Sequence, residues 1–228
     1  MPTTQPLIEL RHITKTYHSG GQLEQAVLKG IDITIYPHEQ VAIMGSSGAG
    51  KTTLMNIIAL LDAPTTGEYF LNGSNVATLT SDERASVRNL QIGFVFQLYF
   101  LLPHLTIAQN VGLPLYYRKT SPEETRTRAL EVIEKVGLTK FADYKPSQLS
   151  GGMQQRAAIA RALIGHPTFI IADEPTGALD SKTGAIIMDL FKELNQTEKV
   201  TIVIVTHDPD IAALCQRTLH IHDGKMVD

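Results

Sequence analysis

The sequence has little of what marks a secreted or membrane-spanning protein. Cys215 is the only cysteine in 228 residues, so intramolecular disulfides and cysteine-rich metal clusters are excluded. We expect Cys215 to be a small, buried packing residue. Residues 1–6 lack the basic start and apolar core of a secretory signal. The longest apolar stretches, such as residues 57–61, are far shorter than the ~18 residues of a membrane span, so any link to a membrane is expected to come through a partner.

The chain also lacks a large excess of positive or negative charge. The net charge is −3, charged residues make up 19% of the chain, and no Lys/Arg block is present. These values argue against a nucleic-acid partner bound through its phosphates. Hydrophobic residues make up an ordinary 43%. Internal repeats and low-complexity linkers are not visible, and Ser19-Gly20-Gly21 indicates only a turn. The sequence therefore predicts one domain over residues 1–228.

A glycine-rich loop over residues 45–52 is the first positive signal. It matches the phosphate-binding pattern G-x-x-x-x-G-K-[ST]. In this pattern, backbone N–H groups cradle the phosphates, Lys51 reaches the β- and γ-phosphates, and the Thr52 hydroxyl binds Mg²⁺. An apolar run precedes the loop and a helical pattern follows it, which is the strand–loop–helix context that the motif requires. The predicted nucleotide contacts here are Gly45, Ser46, Ser47, Gly48, Ala49, Gly50, Lys51, Thr52 and Thr53.

Other apolar segments predict an α/β fold with a mainly parallel core sheet. Residues 169–172 and 201–205 flank a helix from about Thr183 to Asn195, as in βαβ units. Residues 7–10 and 31–35 predict a smaller antiparallel sheet.

Residues 69–71, which precede the hairpin signal Asn72-Gly73, extend this small sheet. Between Gln97 and His166 the pattern turns helical, with one helix that opens at Pro122 and closes at Gly137. We therefore predict a core at about 1–97 and 166–228, with an inserted helical lobe at about 98–165.

Two short motifs supply further chemistry. Asp173 and Glu174 end an apolar strand, where a sheet delivers side chains to the crevice at its carboxyl edge. Asp173 suits Mg²⁺, held directly or through water, and Glu174 suits the base that polarises an attacking water. Ser150-Gly151-Gly152 is typical of a helix N-terminus that admits a phosphate. The plainer alternatives are a surface pair that closes a strand and the glycine-rich start of an ordinary helix.

In this order, the motifs resemble those of the ATPase subunit of an ATP-binding-cassette (ABC) transporter. The likeness runs from Leu7 to Val227. It implies the P-loop NTPase fold of ABC ATPases, with ATP and Mg²⁺ as cofactors. It also implies an ATP-dependent homodimer, in which Ser150, Gly151 and Gly152 close on the nucleotide of the opposite subunit. The family pattern has Gln where this chain has Met153.

The resemblance assigns roles to four more residues. Gln97 resembles the hinge glutamine, which joins core to lobe and reaches the metal. His207 resembles the switch histidine, which contacts the γ-phosphate. Asp180 belongs to a loop through which the two subunits touch. Tyr17 resembles the aromatic that stacks on adenine, although a core or surface Tyr remains the alternative.

Within the family, four segments look like the macrolide-exporter and lipoprotein-release branch (MacB/LolD type): residues 61–67, 92–97, 172–181 and 205–209. This likeness implies a partner, an integral membrane permease of MacB/LolCE/FtsX type. ATP hydrolysis by the chain would drive this permease, which exports its substrate or extrudes lipoproteins or peptides by mechanotransmission. It places the chain at the cytoplasmic face of the bacterial inner membrane, attached through the permease. Either the membrane part is a separate polypeptide or the chain is an excised domain.

Three points stay open at this level. The apolar run at residues 98–105 is explained by core packing or by an exposed groove for a helix of the membrane subunit, with Tyr99, Phe100 and Leu102 as candidate contacts. An FtsE-like ATP-driven regulator that transports nothing is the alternative function. A P-loop kinase for small molecules is less consistent with the Ser150 helix start and Glu174.

Overall fold

A computed structural model describes residues 5–19 and 23–227. Of the predicted turn Ser19-Gly20-Gly21, Ser19 is the last residue of a strand, and Gly20 and Gly21 lie outside the described residues. The strands are β1 (Ile8–Ser19), β2 (Leu23–Ile35), β3 (Gln40–Met44), β4 (Thr66–Leu71), β5 (Ser74–Asn75), β6 (Ile92–Val95), β7 (Phe169–Asp173), β8 (Thr201–Thr206), β9 (Arg217–His222) and β10 (Lys225–Val227). The helices are α1 (Lys51–Ile58), α2 (Ser81–Gln91), α3 (Ile107–Tyr117), α4 (Pro122–Lys135), α5 (Gly151–Leu163), α6 (Ser181–Thr197) and α7 (Pro209–Ala213). Short 3₁₀ turns cover Thr139–Phe141 and Pro146–Gln148.

The chain divides into two compact units. The first comprises Met1–Arg88 and Val203–Asp228, and the second comprises Asn89–Ile202. The division passes through α2 and β8, which each contribute residues to both units. The predicted separation into a core and a lobe at residues 98–165 is a different division, and it stays a prediction.

The first unit contains an antiparallel sheet in which β1 pairs with β2 and β4, and β4 pairs with β5. Asn72 and Gly73 connect β4 to β5 with φ of 52° and 77°, as a tight hairpin turn requires. The hairpin prediction is therefore confirmed. Tyr69 is fully buried, and its hydroxyl donates to the carbonyl oxygen of Ile58 at 2.8 Å, which fastens β4 to the end of α1.

A parallel pair carries the glycine-rich loop of this unit. β3 pairs with β9 in parallel, and β10 pairs with β9 in antiparallel fashion. The first four residues of β3 are buried, which explains the apolar run at residues 41–44 that follows Gln40. Cys215 lies between α7 and β9 and is half-buried, so it is less buried than the sequence predicts.

The second unit packs helices on a parallel pair formed by β6 and β7. Gly93 of β6 permits a close approach of α5, because a side chain there would come within 2.6 Å of the carbonyl oxygen of Ala162. Helix α4 begins after the cap Ser121 and is followed by Gly137 at φ 69°, as predicted. All six residues of β8 are buried, which explains the continuous apolar run at residues 202–205 of the sequence.

Candidate functional site

The glycine-rich loop of the first unit joins the end of β3 to the start of α1. Gly48 and Gly50 have φ of 79° and 103°, a region that favours glycine. A side chain at Gly45 would collide with the backbone oxygen of Ile221. All three glycines of the loop, the two that the pattern requires and Gly48, thus have a backbone reason to be glycine, and the loop turns tightly onto the helix.

The start of α1 leaves its N–H groups without a side-chain cap. Gly50 is the N-cap, no side chain accepts from the first turn, and the first turn has no acidic residue. The Lys51 ammonium donates to the carbonyl oxygens of Gly45 at 2.7 Å and Ser46 at 3.0 Å. Helix N-termini carry partial positive charge, so this loop concentrates donors and positive charge.

The remaining loop residues differ in exposure. Ser46, Ser47, Gly48 and Thr52 are exposed, whereas Thr53 is half-buried. Ala49, the last of the predicted contacts, is buried at 2% exposure, so only its backbone is suited to contact a ligand.

Tyr17 lies on β1 with 37% of its surface exposed. Its hydroxyl donates to Asp62 Oδ2 at 3.0 Å, and Lys15 Nζ lies 4.9 Å from the ring centroid while forming a 2.7 Å ion pair with Asp62. Burial raises the pKa of Asp62, but hydrogen bonds from Lys15, the Ala63 N–H and Tyr17 outweigh it, and the net pKa is lowered. Asp62 therefore favours its ionised form, in which it accepts the hydrogen bond of the Tyr17 hydroxyl.

His207 follows β8 directly and is exposed. The preceding Thr206 accepts from the N–H of Asp208 through its hydroxyl at 3.0 Å, and Asp208 in turn caps α7. The backbone on both sides of His207 is therefore fixed by the end of a buried strand and the start of a helix.

In the second unit, β7 ends at Asp173 and the chain turns sharply at Glu174. Glu174 has φ of 43°, which costs a non-glycine residue about 1–3 kcal/mol unless its surroundings enforce it. Two hydrogen bonds hold the backbone at Glu174 in this conformation. Gly177 N donates to the Glu174 carbonyl at 3.0 Å, and buried Gln155 on α5 donates to the Pro175 carbonyl at 2.7 Å.

Gln97 lies against the same turn. A side chain at Gly177 would come within 2.8 Å of Gln97 Nε2. Gln97 follows β6 and Glu174 follows β7, and these strands run in parallel, so both residues emerge at one carboxyl edge. The structure thus brings Gln97 and the Asp173-Glu174 turn together within the second unit.

Ser150 caps α5, and its hydroxyl accepts from the N–H of Met153 at 3.4 Å. The first turn of α5 has no acidic residue. Asp180 caps α6 by accepting from the N–H and hydroxyl of Thr183 at 3.0 and 2.6 Å, and these bonds lower the pKa of Asp180. A side chain at Gly152 would collide with Thr183, so the Ser150 and Asp180 turns pack on each other.

The predicted site residues fall into two groups. The glycine-rich loop, Tyr17 and His207 belong to the first unit, and Gln97, the Ser150–Gly152 turn, Asp173, Glu174 and Asp180 belong to the second. The sequence analysis missed Gln155, which fixes the Glu174 turn. Gln155 stands between the polar residues Gln154 and Arg156, so no local pattern in the sequence distinguishes it.

None of the helices in the described part of the chain has both the length and the apolar character needed to cross a bilayer.

Comparisons with known proteins identify the family. Residues 28–177 match the family model described as ABC transporter. The chain is 50% identical to an uncharacterized ABC transporter ATP-binding protein, YvrO, of Bacillus subtilis (strain 168), over 97% of this chain and 96% of that protein. It is also 50% identical to the macrolide export ATP-binding/permease protein MacB of Syntrophobacter fumaroxidans, over 96% of this chain but only 31% of that protein. The chain thus spans about a third of the length of the MacB relatives.

Solved structures give the same result. The ATP-binding cassette MJ0796, a dimer in a post-hydrolysis state bound to ADP and Pi, is 46% identical, with a TM-score of 0.87 and 97% of each chain covered. The predicted fold class, the P-loop NTPase fold of ABC ATPases, is confirmed. The chain belongs to the ABC transporter ATP-binding family and is an ABC-type ATPase homologous to the ATP-binding part of MacB.

Proposed function

We propose that the chain binds and hydrolyses Mg-ATP as a face-to-face homodimer and drives a membrane permease subunit of MacB/LolCE/FtsX type. One observation carries the proposal: 97% of the chain matches a cassette solved as a dimer with ADP and Pi. Two helix starts suited to anions, at Lys51 and at Gly151, support it.

ATP binding begins at the glycine-rich loop. The N–H groups at the start of α1 donate to phosphate oxygens, and Lys51 transfers its hydrogen bonds from the carbonyls of Gly45 and Ser46 to the β- and γ-phosphates. Tyr17 stacks on the adenine with its partly exposed ring.

The residues assigned to Mg²⁺ fit that ion. Thr52 offers a hydroxyl, Gln97 an amide oxygen and Asp173 a carboxylate, and such hard oxygen donors are what Mg²⁺ prefers. When bound, the ion neutralises charge that develops on the phosphates.

Hydrolysis requires a water aligned with the γ-phosphate. Glu174 accepts a hydrogen bond from this water and polarises it, and His207 contacts the γ-phosphate. The bonds from Gly177 and Gln155 keep Glu174 in its left-handed conformation, so the carboxylate needs little rearrangement before reaction. The water oxygen forms a bond to the γ-phosphorus as the bond from the γ-phosphorus to the bridging oxygen breaks, so the products are ADP, Pi that carries the water oxygen, and one proton.

The second helix start acts on the nucleotide of the opposite chain. Each chain already has a loop that holds its own γ-phosphate, so the Ser150–Gly152 turn has no such role within the chain. The exposed Asp180 turn, which packs against Gly152 through Thr183, lies beside it as a contact between the two chains.

Mixing two defective chains tests the shared site. Ser150→Arg chains and Lys51→Ala chains should each be nearly inactive, whereas a mixed dimer has one intact site and one site with both defects. The mixture should therefore regain ATPase activity. The control is a sample that contains Ser150→Arg chains alone at the same total concentration. Normal hydrolysis by Ser150→Arg chains alone would contradict the two-chain site.

The membrane partner is inferred from relatives and from an exposed apolar segment, Leu98–Leu102. Leu98, Phe100 and Leu102 are 64%, 59% and 40% exposed, which favours the groove over the core as the explanation of this run. Apolar anchors of this kind suit a helix of a permease. The chain would then lie at the cytoplasmic face of a bacterial inner membrane, attached through that permease.

Alanine variants of the segment test this contact. We expect Phe100→Ala or Leu102→Ala to remain folded with basal ATPase activity but to lose ~2 kcal/mol or more of association with the copurifying membrane protein. Leu214→Ala, which shortens an equally exposed leucine elsewhere, is the control and should bind normally. If the segment variants only unfold the chain, the coupling surface lies elsewhere. The identity of the copurified protein distinguishes a permease from an FtsE-like regulatory partner.

A further inference from the structure

The backbone of the exposed segment Leu98–Leu102 adopts a conformation that needs support. Tyr99 and Phe100 have φ of 61° and 45°, and two successive non-glycine residues in this region are costly. The side chains of Leu98 and Phe100 are mainly exposed, so they contribute little burial to offset that cost. Other groups must hold the backbone.

Two side chains supply that support. Arg161 on α5 donates to the carbonyl oxygens of Phe100 at 2.5 Å and Tyr99 at 2.8 Å. Asn110 on α3 is fully buried; it donates to the Leu102 carbonyl at 3.0 Å and accepts from the Leu102 N–H at 2.7 Å. The segment is therefore anchored to α5 at one end and to α3 at the other.

The same segment also touches the start of α5. A side chain at Gly151 would come within 2.8 Å of the Tyr99 hydroxyl. Tyr99 thus contacts the first residue of α5 through its hydroxyl and Arg161, near the end of α5, through its carbonyl. A displacement of α5 would act on the segment at both points.

We propose that Arg161 is a positioning residue that couples the exposed segment to the Ser150 helix start, so that ATP-driven closure of the dimer displaces Leu98–Leu102. This inference rests on the proposed function, because closure moves α5 only if Ser150 engages nucleotide on the opposite chain. The planar guanidinium suits the role, since its fixed fork bonds two adjacent carbonyls at once. Burial lowers the pKa of Arg161, but a guanidinium stays protonated at neutral pH.

A fluorescent label on the segment tests the coupling without a membrane partner. Leu98→Cys supplies an exposed attachment point, and Cys215→Ala removes the native thiol, whose pKa burial already raises to about 11. Glu174→Gln is included so that ATP accumulates on the dimer. We expect ATP to change the label's emission in this chain, Arg161→Met to abolish the change, and Arg161→Lys to retain part of it.

Arg118→Met is the matched control. Arg118 also donates to two backbone carbonyls of the second unit, those of Gly165 and Asn89, but to none in the segment. It should cost comparable thermal stability and leave the emission change intact. The inference is overturned if ATP-induced dimers form without an emission change, if the change survives in Arg161→Met, or if both arginine variants abolish it. Absence of ATP-induced dimers in the labelled chain instead contradicts the proposed function.

Discussion

Helices α1 and α5 begin in chemically different ways, although both lack acidic residues in their first turns. Helix α1 starts after Gly50, in the left-handed region and without a side-chain cap, and it carries Lys51 as its first residue. Helix α5 starts after Ser150, whose hydroxyl accepts from the Met153 N–H. By contrast, α4 has Glu123 and Glu124 in its first turn, which offset the positive end of that helix.

This difference suggests a division of labour. The α1 start combines uncapped N–H groups with a full positive charge, so it is suited to hold a polyphosphate tightly. The α5 start is neutral and partly capped, so it is suited to add a weaker contact once nucleotide is in place. A dimer that forms only with ATP needs both kinds of phosphate contact. The strong contact retains the nucleotide on its own chain, and the weak contact to the opposite chain can be released after hydrolysis.

Loss of Glu174 is expected to have the largest effect, and it leaves both helix starts intact. Glu174→Gln should reduce turnover by ~10²–10⁴-fold, the usual contribution of such a base, while ATP binding persists. ATP should then drive the variant into stable dimers, which sizing chromatography detects. Glu193→Gln, at an exposed carboxylate of α6, should behave as wild type. Turnover near the wild-type rate in Glu174→Gln would remove the assignment of the base.

Loss of Lys51 tests the stronger helix start. A hydrogen bond to a charged group contributes about 2 kcal/mol, so Lys51→Ala should weaken ATP binding roughly thirtyfold by calorimetry. Thermal stability is measured in parallel, because Lys51 also bonds the carbonyls of Gly45 and Ser46. Lys29→Ala removes an exposed lysine of the same unit and serves as control. Unchanged ATP affinity in Lys51→Ala would contradict the phosphate-loop assignment.

The sequence predicted elements that carry apolar periodicity and failed for those that do not. Strands β3, β7 and β8 are buried along nearly their whole length, so their apolar runs were visible. Helix α2 has no buried residue, and β9 is mostly half-exposed, with only Ile221 buried. Helix α2 therefore lacks the hydrophobic pattern on which such predictions depend, and in β9 the pattern is limited to the alternation of Leu219 and Ile221 with two exposed histidines.

At the site, the functional residues could be predicted from the sequence, but the hydrogen bonds that hold them in place could not. The motifs identified Glu174 and the segment at residues 98–105, whereas the bonds that fix them join residues far apart in sequence. Gln155 reaches Pro175, and Arg161 reaches Tyr99, 62 positions earlier. Tertiary contacts of this kind also decided that Phe100 is exposed, which the apolar run alone could not.

Loss of the Ser150 hydroxyl is expected to have the smallest effect on function. It is also the most direct test of the difference between the starts of α1 and α5. Ser121 caps α4 with the same geometry, accepting from the Glu124 N–H at 3.2 Å. Ser150→Ala and Ser121→Ala should each lower the free energy of unfolding by about 1 kcal/mol. Only Ser150→Ala should also weaken ATP-driven dimerisation, by roughly tenfold for a hydroxyl bond to phosphate of about 1.5 kcal/mol.

Titration of dimerisation against ATP in the Glu174→Gln background measures this difference. Equal dimerisation of the two serine variants would mean that Ser150 is a helix cap and nothing more, because Ser121 reproduces the loss of the cap alone. Selective weakening in Ser150→Ala would show that the α5 start binds nucleotide besides beginning a helix. The contrast between the two helix starts would then be functional, since a hydroxyl shared between a cap and a phosphate is released when Pi departs.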